Sequence, residues 1–210
     1  MNEKFFSLPE EKQIRIINAC MKEFSENGFK QASTNRMVET AGIGKGMLFY
    51  YFVNKKTLYH YLLDYGLNRL EVEFLDQVDL SETGFIERLS SIAKKKWMLF
   101  QKYPDLFSFL AAFIVSDQTE VPDSTLEKYK ALQQKGQDIL YSNIDRSLFR
   151  QDVDVDKVFK LIQWTLDGYR QEFEWKLKHQ AIKSVDFEPY WQEFYEYLSI
   201  LKHVYYKGES

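Results

Sequence analysis

Cysteine is all but missing from this chain of 210 residues: Cys20 has no second thiol with which to close a disulfide or build a zinc site. Disulfide-stapled folds and thiolate metal centres are thereby excluded, and the reducing cytoplasm is the expected location. Long apolar runs are missing too. Leu106 to Val115, the longest, is interrupted by Ser108 and falls far short of the roughly 20 residues that span a bilayer. Met1 to Gln13 lacks the apolar stretch of a secretory leader, so no membrane partner is expected. No Gly-rich phosphate loop, nucleophile elbow or two-His motif occurs, and His60, His179 and His203 are scattered. An enzyme therefore has no positive sign, and neither a metal nor another cofactor is expected. Asp64, Glu71, Glu73 and Asp76 lack any His or Cys at ligand spacing and read as a solvated helix face.

Proline and glycine are also scarce, at four and nine residues, and sit where helices would begin or end. What fills the chain is apolar and aromatic: 45% of residues are hydrophobic, with 17 Phe, 14 Tyr and 4 Trp. Apolar residues recur three and four apart and no two-residue alternation is sustained, which implies an all-α protein. The net charge of −3 argues against nucleic acid until it is divided along the chain. Met1 to Leu58 carries nine Lys or Arg against six Glu, and the remainder 19 against 25 acidic residues. A basic head on an acidic body is compatible with DNA binding by the head alone.

Spacing predicts a first helix over about Pro9 to Asn27, with Ile14, Ile17, Met21 and Phe24 as its inward stripe and Gly28 as its stop. A short second helix starts at Thr34, whose hydroxyl is expected to cap it, and runs to about Glu39. Ala41-Gly42-Ile43 forms a tight turn into a third helix over Gly44 to Phe52, and Asn54 caps a long fourth helix through Leu70. Helix, turn with Gly42 and helix describe a helix-turn-helix, in which the third helix would enter the major groove. Thr34 is placed to donate to a phosphate. Lys45, Met47, Tyr50 and Tyr51 are expected to project from the third helix, while Leu48 and Phe52 face the core. Taken singly, such a corner occurs in many helical proteins, and a Tyr pair has a core role as its alternative.

The stretch Arg15 to Leu58 resembles the DNA-binding domain of the TetR family of transcriptional regulators. Arg15-Ile16-Ile17, Ala19, Phe24, Gly28-Phe29, Ser33-Thr34, Met37-Val38, Ala41-Gly42-Ile43, Gly46-Met47-Leu48-Phe49, Tyr51-Phe52 and Lys55-Lys56-Thr57-Leu58 carry the likeness without a gap. The resemblance implies an N-terminal three-helix head over residues 1–53 and a larger helical effector-binding and dimerisation body over 54–210. It also implies a homodimer on a palindromic double-stranded operator and a small-molecule effector. Carried over, its pattern gives phosphate contacts to Thr34, Tyr51 and Lys55, and base-edge or mixed contacts to Lys45, Met47 and Tyr50. Gly46 belongs to the same set, and Ser33 and Asn35 are secondary candidates. The chain departs from the family at Gly44, Met47 and Phe49; Phe49 lacks the usual tyrosine hydroxyl, and Met47 offers an apolar contact such as a thymine methyl.

Helices in the body are expected from Thr83-Gly84 to about Lys102, after Pro104 and Pro122, from about Asp154 to Gln180, and from about Pro189 to Tyr206. Leu106 to Val115, apolar nearly all round, should lie inside. Trp97, Phe100, Phe107, Phe113, Tyr129, Tyr141, Trp164, Tyr169 and Phe173 are the effector-pocket candidates, with Asp167 and Gln163 for polarity; the alternative for each ring is plain core. Aromatic lining favours a flat or apolar effector. For a dimer interface the stripes including Val158 and Ile162 on the penultimate helix, and Trp191, Phe194, Leu198 and Leu201 on the last, are expected. A second apolar row, Tyr190, Tyr197 and Val204, widens the last helix. The leading reading is a ligand-responsive DNA-binding regulator, a repressor by its family's habit. The alternative is a helical ligand carrier or enzyme that keeps the corner as scaffold.

Overall fold

The computed structural model describes residues 3–116, 118, 120–177 and 188–208, and the side chains of 173–177 are left aside. Among the described residues the chain is helical, without a strand. The helices are α1 (Glu3–Phe6), α2 (Glu10–Gln31), α3 (Thr34–Ala41), α4 (Lys45–Phe52), α5 (Lys55–Glu73), α6 (Phe85–Lys102), α7 (Pro104–Ile114), α8 (Asp123–Tyr141), α9 (Val155–Leu177) and α10 (Glu188–Tyr205). The predicted end of the penultimate helix at Gln180 and the side chain of Phe173 lie outside the described residues.

Helix ends follow local chemistry. Gly28, at φ 64 and ψ 172, breaks α2 in a region essentially closed to residues with a Cβ. Gly42, at φ 62 and ψ 40, ends α3 in the left-handed conformation. Its N–H donates to Glu39 O and that of Ile43 to Val38 O, so the last carbonyls of α3 are satisfied by a Schellman turn. Asn54 caps α5 by accepting from the Thr57 N–H at 2.8 Å. At α3 the cap is Ser33, which accepts from the Arg36 N–H, and Thr34 is the first helical residue; this corrects the expectation that Thr34 caps.

Two compact units divide the chain: residues 1–78 with 94–139, and residues 79–93 with 140–210. The first unit therefore joins the helix-turn-helix to α5, α7 and most of α8 rather than leaving a free-standing head. Its core runs from Ile16, Ile17, Cys20, Met21 and Phe24 of α2 to Met37 of α3, Leu48 and Phe52 of α4, Leu62 and Leu63 of α5, and Phe109 and Phe113 of α7. Its most extensive helix contact is α2 against α7. Two expectations are corrected here: Ile14 is exposed, and the apolar run of α7 ends with Ile114 and Val115 in solvent. Helix α1, too short to show a period, buries Phe5 among Tyr51, Phe52 and Tyr61.

The second unit gathers Phe85, Ile86, Phe149, Val158, Phe159, Ile162, Leu198 and Tyr206 into one apolar cluster. Burying these side chains is its main source of stability. Among its described residues the one wholly buried charge is Arg88, which donates to the carbonyls of Leu80, Glu82 and Ser142. Burial pulls the Arg88 guanidinium below its usual pKa, and these carbonyls are what make its charge tolerable there. The C-terminal end is tied in by Lys207 N–H donating to Leu148 O and Arg150 N–H to Tyr205 O.

Candidate nucleic-acid interface

Helix α4 is anchored by Leu48, Tyr51 and Phe52, which are three and four apart and buried. The opposite face presents Lys45, Gly46, Met47 and Tyr50 to solvent, as expected of a recognition helix. Tyr51 is a correction. At 1% exposure its ring is seated edge-on against Phe5, so the residue is packed in the core and does not project from the face as expected. Position decides this: Tyr51 lies three residues after Leu48, on the same buried stripe. Sequence reasoning missed Lys4, whose ammonium stands 4.8 Å over the Tyr50 ring and brings a further positive charge to the edge of the reading face. The Phe5-Phe6 pair was the available signal that this segment docks.

The entry to α3 is fixed by a charge network. Glu23 of α2, 6% exposed, accepts from the Ser33 N–H at 2.8 Å and from Arg36 Nε at 2.9 and 3.1 Å. The Arg36 bonds hold the Glu23 carboxyl below its usual range; burial opposes them and the Ser33 N–H adds to them. Ser33 is thus committed both as cap and as partner of Glu23, while Thr34 is half-buried and Asn35 exposed. Lys55, at the start of α5, donates to Lys30 O at 3.2 Å and Ala32 O at 3.1 Å, covering the carbonyl end of α2.

The aromatic candidates for an effector pocket are divided between the two units. Trp97, Phe100, Phe107, Phe113 and Tyr129 belong to the first unit, where Trp97 stacks on Phe100 and Phe113 meets the edge of Tyr129. Tyr141, Trp164, Asp167 and Tyr169 belong to the second. Tyr141 packs on Phe85 and Phe159 and donates to Gln163 Oε1; Tyr169 donates to Tyr190 O; Asp167 faces Arg170. Trp164 is 66% exposed, on the surface of its own unit rather than in a pocket wall as expected. The first unit does hold two cavities. One, of about 260 Å³, is lined by Phe24, Phe29, Tyr59, Phe109 and Phe113, so of the candidates only Phe113 reaches it. The other, of about 340 Å³, lies between α2, α5 and α7.

The expected interface residues are likewise redistributed. Val158, Ile162 and Leu198 are core, and Phe194 and Leu201 pack on that core, because they form the inward stripes of α9 and α10. Trp191 is half-buried against Phe194 and Tyr195. Among the described residues, the large apolar side chains left in solvent on these helices are Leu161 and Trp164 on α9 and Tyr197, Ile200 and Val204 on α10. Among the described residues no group of His, Cys, Asp or Glu is placed to hold a metal ion, and no helix is long and apolar enough to cross a membrane.

A three-helix head with a glycine corner and an outward basic and aromatic face on its third helix defines a helix-turn-helix DNA-binding transcriptional regulator. Residues 16–62 match the model of the bacterial regulatory proteins of the tetR family. The chain is 21% identical over 166 residues to the transcriptional repressor AcnR of Corynebacterium glutamicum, covering 77% of this chain and 81% of that one. It is 30% identical over 142 residues to the fatty acid metabolism regulator protein of Bacillus subtilis, covering 63% of each. In three dimensions it is similar to a TetR family transcriptional regulator from Chloroflexus aurantiacus, with a TM-score of 0.67, 22% identity and 99% of both chains covered. Residues 16–62 thus carry the DNA-binding domain of the tetR family, and the chain as a whole shares the fold of TetR family regulators.

Proposed function

We propose that this regulator is a homodimeric repressor that holds a palindromic operator through α4 of each subunit and releases it on binding a small apolar or aromatic effector. The observation that carries the DNA half is the face of α4: Lys45, Met47 and Tyr50 are outward while Leu48, Tyr51 and Phe52 seat the helix. Lys55 serves phosphates with Thr34, and Lys45, Met47 and Tyr50 serve base edges, Lys45 as a mixed contact, with Gly46 allowing close approach and Ser33 and Asn35 at the flank. Repression is supported by the similarity to AcnR, a transcriptional repressor, and an effector by the two cavities of the first unit. Homodimerisation is supported by the exposed apolar face of α9 and α10. Two heads about 34 Å apart would meet successive major grooves, so an effector that changes this separation forfeits contacts. A regulator of DNA acts in the cytoplasm and needs no catalytic group.

The test is selection of bound fragments from the source genome, followed by titration at several salt concentrations. Lys45→Ala should weaken binding and lower the salt slope by about one unit, with the unfolding midpoint unchanged. Lys55→Ala should do the same and also lower the midpoint, by about 1 kcal/mol of stability, because two carbonyls of α2 lose their donor. Tyr50→Ala should alter preference among operator variants. If no fragment is bound above background, the protein is a carrier that keeps the corner as scaffold.

A further inference from the structure

The cavity of about 340 Å³ in the first unit has the chemistry of an anion site. Its volume lies at the low end of the roughly 300–1,000 Å³ typical of small-molecule sites, enough for one ring or a short chain. Ile14 and Met21 of α2 and Leu106 of α7 give it apolar walls, and Tyr65 and Tyr103 give it aromatic ones. Arg69 and Lys102 stand in the same lining. The Arg69 guanidinium lies 5.1 Å from the centre of the Tyr65 ring and 4.9 Å from that of Tyr103, and the Lys102 ammonium 4.6 Å from Tyr103.

Both cations are fixed from behind by Glu73, which is bound by Arg69, by Lys102 at 3.1 Å and by the Tyr103 hydroxyl at 3.2 Å. Glu73 is no part of the lining, where the remaining carboxylate is the exposed Glu10 at the first turn of α2. The cavity therefore sees the part-buried Arg69 and the solvated Lys102 against one solvated carboxylate, Glu10. The bonds from Arg69 to Glu73 and to Tyr103, at 2.7 Å, both leave from Nη1 and a further one goes to the Tyr65 side chain, which leaves part of a fork with five N–H donors for a ligand. A carboxylate is the planar, two-oxygen partner that such a fork fits best.

The geometry points to this cavity as the binding site of a small organic monoanion, an aromatic or short-chain carboxylate, with Arg69 and Lys102 on its charge and Tyr65, Tyr103 and Leu106 on its body. Since Ile14 and Met21 belong to the first long helix of the reading head, the ligand touches the head directly. That it acts as the effector rests on the regulator reading above; that it binds does not.

Calorimetry on the full chain tests the site with benzoate, phenylacetate and hexanoate, each against its amide, and with benzylamine. The carboxylates should bind at least about tenfold more tightly than the amides, the worth of one charge-assisted hydrogen-bond set. Arg69→Gln should bring benzoate to the level of benzamide. Because that variant also deprives Glu73 of a partner, Ile14→Trp provides a second route: it fills the cavity from α2 with the ion network whole, and should abolish benzoate binding. The site is overturned if no carboxylate outbinds its amide, if benzylamine is preferred, or if Ile14→Trp leaves benzoate affinity unchanged. Operator titration with benzoate present then reads the effector role: weakened binding supports it, and unchanged binding by a benzoate-loaded protein overturns it. A protein that takes up benzoate but binds no DNA fragment keeps the site and loses the regulator reading.

Discussion

Glu23→Ala is expected to destabilise the protein by about 2 kcal/mol and to weaken operator binding about tenfold more than the folded fraction explains. The carboxylate satisfies the backbone N–H of Ser33 and holds Arg36, so its loss leaves a half-buried donor and a freed guanidinium at the entry to α3. Severing a fully buried pair costs about 3–5 kcal/mol, and the Arg36 side chain, 53% exposed, can turn to water, which brings the figure down. Urea unfolding of the two proteins at pH 7 reads the cost. Its pH dependence has a definite sign. The folded-state carboxyl is held below its ordinary 4.5, so its contribution is full above that value and disappears as pH falls through the lower, folded one. The gap between wild type and Glu23→Ala should therefore be constant near neutrality and close in acid. An unchanged midpoint at pH 7 would show that Glu23 is dispensable and that Ser33 caps α3 unaided.

The helix boundaries of the head were legible because they are set by neighbours in sequence: Gly28 and Gly42 for positive φ, and Asn54 for its cap. Faces were legible where one side of a helix is polar. On α4, six apolar or aromatic residues follow Gly46, and reading the inward face from Leu48 and Phe52, four apart, put Tyr51 outward although its three-residue spacing from Leu48 buries it. On α9 the difficulty was greater, since Val158 and Ile162 share the helix with Leu161 and Trp164. Two apolar faces give no sign of which is core until a second element, here Phe85 and Phe149, covers one. The cation cavity was illegible for another reason. Ile14, Arg69 and Tyr103 are dispersed over some 90 positions, and only the packing of α2, α5 and α7 brings them together.

That two-faced character of α9 and α10 separates two pairs of substitutions sharply. Trp164→Glu with Ile200→Glu is expected to turn a dimer into a folded monomer, weakening self-association more than about a hundredfold. At 66% and 57% exposure these side chains have little to lose within the subunit, whereas a C2 interface would bury four carboxylates near its own twofold axis. Leu198→Glu should instead unfold the second unit, because Leu198, 3% exposed, would place a carboxylate inside the cluster of Phe85, Phe159 and Ile162. Gly168 supplies a subtler probe. It lies four residues after Trp164 on the same side of α9, and a Cβ there would meet nothing within 4 Å in its own chain. Gly168→Phe should therefore leave the monomer intact yet hold a partner helix away. Sedimentation velocity with circular dichroism reads all three: monomer with full helicity for the double variant and for Gly168→Phe, and lost helicity for Leu198→Glu. Operator affinity should fall with the dimer, since a single head keeps only half of a palindrome's contacts. A double variant that sediments as an unaltered dimer would place the interface elsewhere and leave Leu161, Trp164 and Ile200 without a partner.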